Sequence, residues 1–130
     1  MPAEVIWATD HYILKYSGCV VVEDSVGAYG EIVGSENFDD SRYAILDCRE
    51  MTEVDYSPKD YDKHAAMAKS AALTKMRLRI GLVIPSEELE AKVLPFMDSV
   101  SKKFPHKWTR KIFRTYEEAH AWASSPADQD

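Results

Sequence analysis

Apolar positions along this chain alternate in short runs and then recur at helical spacing, one pattern after the other. Glu4 to Ala8 and Tyr12 to Ser17 are rich in β-branched and aromatic residues and flank Thr9-Asp10-His11, whose turn chemistry predicts an antiparallel hairpin. Beyond Gly18, Val22, Val26, Tyr29 and Val33 recur at helical spacing. Glu23 and Asp24 sit where the positive end of a helix favours acids, which predicts a helix over 21–33. Gly27 and Gly30 weaken that helix, and an extended 19–23 competes with its start. The polar stretch from Ser35 to Arg42 predicts a loop, and Tyr43 to Cys48 a buried strand ending near an acid, Asp47.

The second half is more regular. Ser57-Pro58-Lys59-Asp60 combines an N-cap serine, a proline at the first helical position and an acid at the third, so a helix is expected from there to about Lys75. Tyr61, Ala65, Ala68 and Ala72 share one face of it, small enough to let the axis lie close to a sheet. Arg77 to Ile84 predicts a central strand. Pro85-Ser86 and the acids Glu87, Glu88 and Glu90 open a third helix with a stripe of Leu89, Val93, Phe96, Met97 and Val100, and Pro95 inside it predicts a kink or break. Trp108 to Arg114 alternates as a last strand. Thr115-Tyr116-Glu117-Glu118 then caps a helix through Trp122, and 124–130 reads as a disordered tail. The order is ββαβαβαβα over residues 1–123: one α/β domain with a mixed, mostly parallel five-stranded sheet and about four helices, because right-handed strand-helix-strand units make their strands parallel.

Composition narrows the class. The 130 residues suit one domain, and 45% hydrophobic residues are enough for a folded core. The start MPAEVIW lacks a basic and then apolar leader, and no apolar run approaches membrane-spanning length. Cys19 and Cys48 form no CxxC and read as free thiols in a reducing cytoplasm. A net charge of −6 argues against nucleic-acid binding by the whole surface. The charge is uneven, however. Lys102, Lys103, His106, Lys107, Arg110, Lys111 and Arg114 fall in one stretch without an acid, a basic patch suited to an acidic protein, a phosphate or an anionic head group, or simply a solvated strand edge guarded by lysines.

The order of elements, together with ILDCREMTEVDYSP, RIGLVI and KIFRTYEEAHAW, resembles the STAS fold of anti-sigma-factor antagonists and the SpoIIAA-like family. Asp47 and Asp55 have the spacing at which that family ends a buried strand and opens a helix-initiating turn. The resemblance implies a regulatory, protein-binding module. In that family the switch is phosphorylation of the hydroxyl residue directly after the second Asp. Here that position is Tyr56, with Ser57 one residue later and Pro58 in place of glycine. Ser57 is therefore a candidate phosphosite and also a plain helix cap.

Open α/β sheets place ligands at the carboxyl ends of their strands, so a partner or ligand crevice is expected at Asp47, Cys48, Asp55, Tyr56, Ser57 and Ser86. Leu89, Val93, Leu94, Phe96 and Met97 exceed what one narrow helix face must bury. The surplus suits an apolar slot for a small lipid-like ligand, or a self-association surface. No nucleophile elbow, phosphate loop or zinc motif is present. The histidines His11, His64, His106 and His120 lie in unrelated elements, so no catalytic residue, metal site or cofactor is expected.

Overall fold

A computed structural model describes residues 2–75, 77–103 and 107–125, and the side chains of all of these except 74, 96–103, 107 and 108. Strands β1 (Ala3–Trp7), β2 (His11–Val21), β3 (Tyr43–Asp55), β4 (Arg77–Val83) and β5 (Lys107–Phe113) form one sheet in the order β1-β2-β3-β4-β5. Only β1 and β2 are antiparallel; the other neighbours are parallel. Helices α1 (Val22–Val33), α3 (Pro58–Thr74) and α4 (Glu87–Lys103) each connect one parallel strand to the next. Each step moves the same way across the sheet with the same hand, so all three helices fall on one face. The short α2 (Asn37–Asp40) precedes β3, and α5 (Tyr116–Ala123) covers the other face.

Strand parity divides the interior between those faces. Tyr12, Leu14, Tyr16, Ala44, Cys48, Leu78, Ile80 and Leu82 point toward α1, α3 and α4, where Ile32, Ala71, Leu89 and Val93 meet them. Tyr43, Ile45 and Val83 point the other way, under Ala119 and Ala123 of α5. That second contact is close. A Cβ on Gly81 would stand 2.8 Å from the Ala119 carbonyl oxygen and 3.2 Å from its Cβ, so only glycine lets the helix settle onto β4.

Several expectations change. Both β2 and β3 outrun the predicted strands: Ser17 to Val21 pair with Glu50 to Asp55 as an arm beyond the main sheet, and β3 does not end at Asp47. The arm starts among register shifts at which Gly18 adopts φ 64°, a left-handed conformation that suits glycine in a bulge. The loop predicted over 35–42 contains α2, which inserts the fully buried Phe38. Helix α4 runs on through Pro95 rather than breaking. Ala91 and Pro95 are both exposed, so water can serve the carbonyl that proline deprives of its intrahelical donor. Ser124 and Ser125 close α5 through bonds to the carbonyls of His120 and Trp122, and the rest of the expected tail, 126–130, lies outside the described residues.

Candidate functional site

The junction of β3 and α3 holds a chain of polar side chains. Residue 56 leaves a strand that has just passed β2, which turns its phenol inward. Tyr56 Oη lies 2.7 Å from Ser25 Oγ of α1 and 2.8 Å from His64 Nδ1 of α3. Ser25 Oγ continues to Tyr16 Oη of β2 at 2.8 Å. Tyr16, Ser25 and His64 are each at least 96% buried. The Tyr29 ring meets His64 edge-on at 5.5 Å, and Tyr61 tilts against Tyr56 at 5.2 Å. Each hydroxyl can donate to one neighbour and accept from the other, so the His64 tautomer sets the direction of the whole chain.

Burial decides protonation. It raises the phenols of Tyr16, Tyr29 and Tyr56, and lowers the His64 imidazole to about 4, with the charge of Arg110 acting in the same sense on the histidine. At neutral pH the chain is therefore uncharged from end to end. Arg110 stands nearby because Tyr12, Ala44, Ile80 and Arg110 are successive partners across β2, β3, β4 and β5. With strands about 4.8 Å apart, the outer two backbones are ~14 Å apart. Two long side chains can lean toward each other over the small Ala44. Burial disfavours the Arg110 charge, while Tyr29 and Tyr12 oppose that effect. Between these residues lies a cavity of about 40 Å³ lined also by Leu14, Leu46 and Ile80.

The crevice residues expected from sequence do not share one mouth. Asp47 is 3% exposed on the α5 face, where Arg49 grips it through Nε at 2.9 Å and Nη2 at 2.8 Å. Burial alone would raise its carboxyl, but the bonds from Arg49 bring it below the usual range. Cys48 points to the opposite face, fully buried, and burial pushes its thiol up to about 12, which leaves almost no thiolate for nucleophilic attack at neutral pH. Asp55 is exposed, eight strand residues beyond Asp47, or about 26 Å at the usual rise. Ser57 is exposed and caps α3: its hydroxyl accepts from the Asp60 amide at 3.3 Å, and the Asp60 carboxylate accepts from the Ser57 amide at 2.8 Å. Ser86 caps α4 through the Leu89 amide at 3.1 Å.

Nor do the basic residues make one described surface. Arg110 faces the helices, whereas Lys111 faces the other side of the sheet beside the Phe113 ring, as strand alternation requires. Arg114 holds Glu90 at 2.8 Å and the Ile84 carbonyl at 3.1 Å. The side chains of Lys102, Lys103, His106 and Lys107 lie outside the described residues. Of the expected apolar slot, Leu89 and Val93 are packed into the main core and Leu94 is exposed. The side chains of Phe96 and Met97 lie outside those described.

Among the described residues no group of three or more His, Cys, Asp or Glu is placed to hold a metal ion. None of their helices is long and apolar enough to cross a membrane. The Tyr16, Ser25, Tyr56 and His64 chain escapes sequence reading because its members come from separate elements. The one signal is parity, which places Tyr16 with Tyr12 and Leu14 on the core face of a strand.

Known protein families and curated proteins give no match by sequence. By structure the chain is similar to the anti-sigma factor antagonist SpoIIAA in its unphosphorylated form, with a TM-score of 0.52 and 10% identity over 92% of this chain and 94% of that one. The fold is thus SpoIIAA-like: one α/β domain with a mixed five-stranded sheet and helices on both faces.

Proposed function

We propose that this chain is a non-catalytic regulatory module, working in a reducing cytoplasm, that binds a protein partner through the start of α3 and the adjoining β2–β3 arm. The observation that carries the reading is the inward anchoring of Tyr56 by Ser25 and His64. It fixes the first turn of α3 to α1, so the exposed Asp55, Ser57, Lys59 and Asp62 are offered on a preset surface. A preset surface loses little conformational freedom on binding, which suits recognition. The likeness in fold to an anti-sigma factor antagonist supports the same reading.

Its finer form makes Ser57 the acceptor of a switching phosphate. The helix N-terminus would favour the added charge, but the Asp60 carboxylate already bonded to the Ser57 amide would oppose it. Phosphorylation would then loosen the first turn and withdraw the face from its partner. An apolar ligand is the weaker alternative. A cavity of about 40 Å³ holds a few waters, whereas an acyl chain would require the helices to part from the sheet.

The test is affinity capture followed by calorimetry with the purified partner. Charge reversal by Asp55→Lys should weaken the complex about tenfold or more, as expected for a charged contact at a binding face. Lys69→Glu, exposed farther along α3, should leave it unchanged, and Ser57→Ala should cost about 1 kcal/mol of fold stability as a lost cap. Equal binding by the Asp55 and Lys69 variants would place the partner elsewhere. A second copy of this chain as the partner would appear as a dimer that Asp55→Lys dissociates.

A further inference from the structure

We infer that the opposite pole of the sheet, where β3 and β4 begin, binds a small hydroxylated phosphate ester. A cavity of about 270 Å³ opens there, walled by the α2 segment, the end of α3, the start of β4 and the end of α5. That volume is near the lower end of the ~300–1,000 Å³ usual for small-molecule sites. Four cations line it, Arg42, Lys75, Arg77 and Arg79, against two acids, Asp39 and Asp40. Such an excess is notable in a chain of net charge −6.

The cations are held in different ways. Arg79 is only 6% exposed, and its guanidinium lies 4.3 Å from the centre of the Trp122 ring, which fixes the plane in which it can fork onto a phosphate. Lys75 Nζ donates to the Asp39 carbonyl at 3.1 Å, which ties the α2 segment to the end of α3. Arg42 reaches the Asp10 carboxylate through a single nitrogen at 3.3 Å, and a guanidinium carries five donors. Arg77 is exposed and makes no ion pair among the described residues. Asp39, Asp40, Ser41 and Ser125 supply the rest of the polar wall. The carboxylates repel the phosphate group but accept hydrogen bonds from alcohol hydroxyls, which an ester adds and the inorganic ion lacks, so this wall selects an ester bearing hydroxyl groups. The site lies at the other end of the sheet from the partner face and stands or falls independently of it.

The experiment is an NMR titration of backbone amides with glycerol 3-phosphate, inorganic phosphate and sodium chloride at matched ionic strength. Saturable shifts are expected at 39–42, 75–79 and 123–125, with the ester binding more tightly than the inorganic ion. Arg79→Met should weaken both by at least about tenfold, while Asp40→Asn should shrink the preference for the ester, because it relieves the repulsion of the inorganic ion and weakens the contact to the ester hydroxyls. If Arg79→Met fails to fold, the exposed Arg77→Met carries the same expectation. Shifts that chloride reproduces, shifts centred elsewhere, equal affinity for the two phosphates, or wild-type affinity in the arginine variant would each overturn the inference.

Discussion

Replacing Tyr56 by phenylalanine keeps the ring against Tyr61 and His64 and removes one oxygen. That oxygen meets Ser25 Oγ at 2.7 Å and His64 Nδ1 at 2.8 Å. A net hydrogen bond contributes about 1 kcal/mol, and depriving a buried polar atom of its partner costs about 1–3 kcal/mol. Ser25 keeps its contact with Tyr16 at 2.8 Å, so the larger share falls on the imidazole side. The sum is about 2–3 kcal/mol, or roughly 10 °C in Tm for a domain of this size. Urea denaturation followed by circular dichroism measures it, with Tyr61→Phe as the control. The Tyr61 hydroxyl makes no hydrogen bond among the described residues, so its removal should cost under about 0.5 kcal/mol. A cycle with Ser25→Ala should show coupling, since both substitutions remove the same bond. If Tyr56→Phe costs no more than Tyr61→Phe, the polar chain does not hold α3 in place and the preset face loses its support.

Three further outcomes follow from the same geometry. Gly81→Ala should destabilise by about 1–3 kcal/mol in thermal melts, because the new methyl group collides with the Ala119 backbone and α5 must shift. Thiol labelling of the native protein at mild alkaline pH should modify Cys19, which is exposed, and spare Cys48 until the chain is unfolded. Stability should also depend on His64: its folded pKa is about 4, against ~6.5 when unfolded. The unfolded chain therefore takes up the proton first. The contribution is complete above about pH 6.5, falls by ~1.4 kcal/mol per unit as the pH drops, and levels off near 4 after losing about 3 kcal/mol. A His64→Asn variant should lack that slope.

The sheet was legible in the chain because 43–48, 77–84 and 108–114 carry enough apolar residues to announce buried strands, and these segments do lie side by side. Residues 49–55 escaped because the arm they form with β2 is largely exposed. Of 49–55 only Met51 is buried, so period-two alternation has little contrast. The expectation of one crevice failed for the same reason: with β3 extended to Asp55, Asp47 and Asp55 sit far apart, and Cys48 faces away from Asp47. Of the kink or break that Pro95 predicts, the break is absent because the residue faces solvent, a position that spacing alone does not reveal. Tyr56 was legible as a departure from the family pattern but not as an anchor, since its partners lie 31 residues before it and 8 after it. Arg110 shares parity with Ile112, a signal of its inward direction that the surrounding positive charge concealed.

The preset face at the start of α3 depends most on His64 being neutral, buried and bonded to Tyr56. Long-range proton–nitrogen NMR of the imidazole across pH reports all three at once. A single neutral tautomer, held down to a midpoint near pH 4 and disturbed by Tyr56→Phe, is the predicted result. A midpoint near 6.5, with the two neutral tautomers mixed as in a solvated side chain, would contradict it.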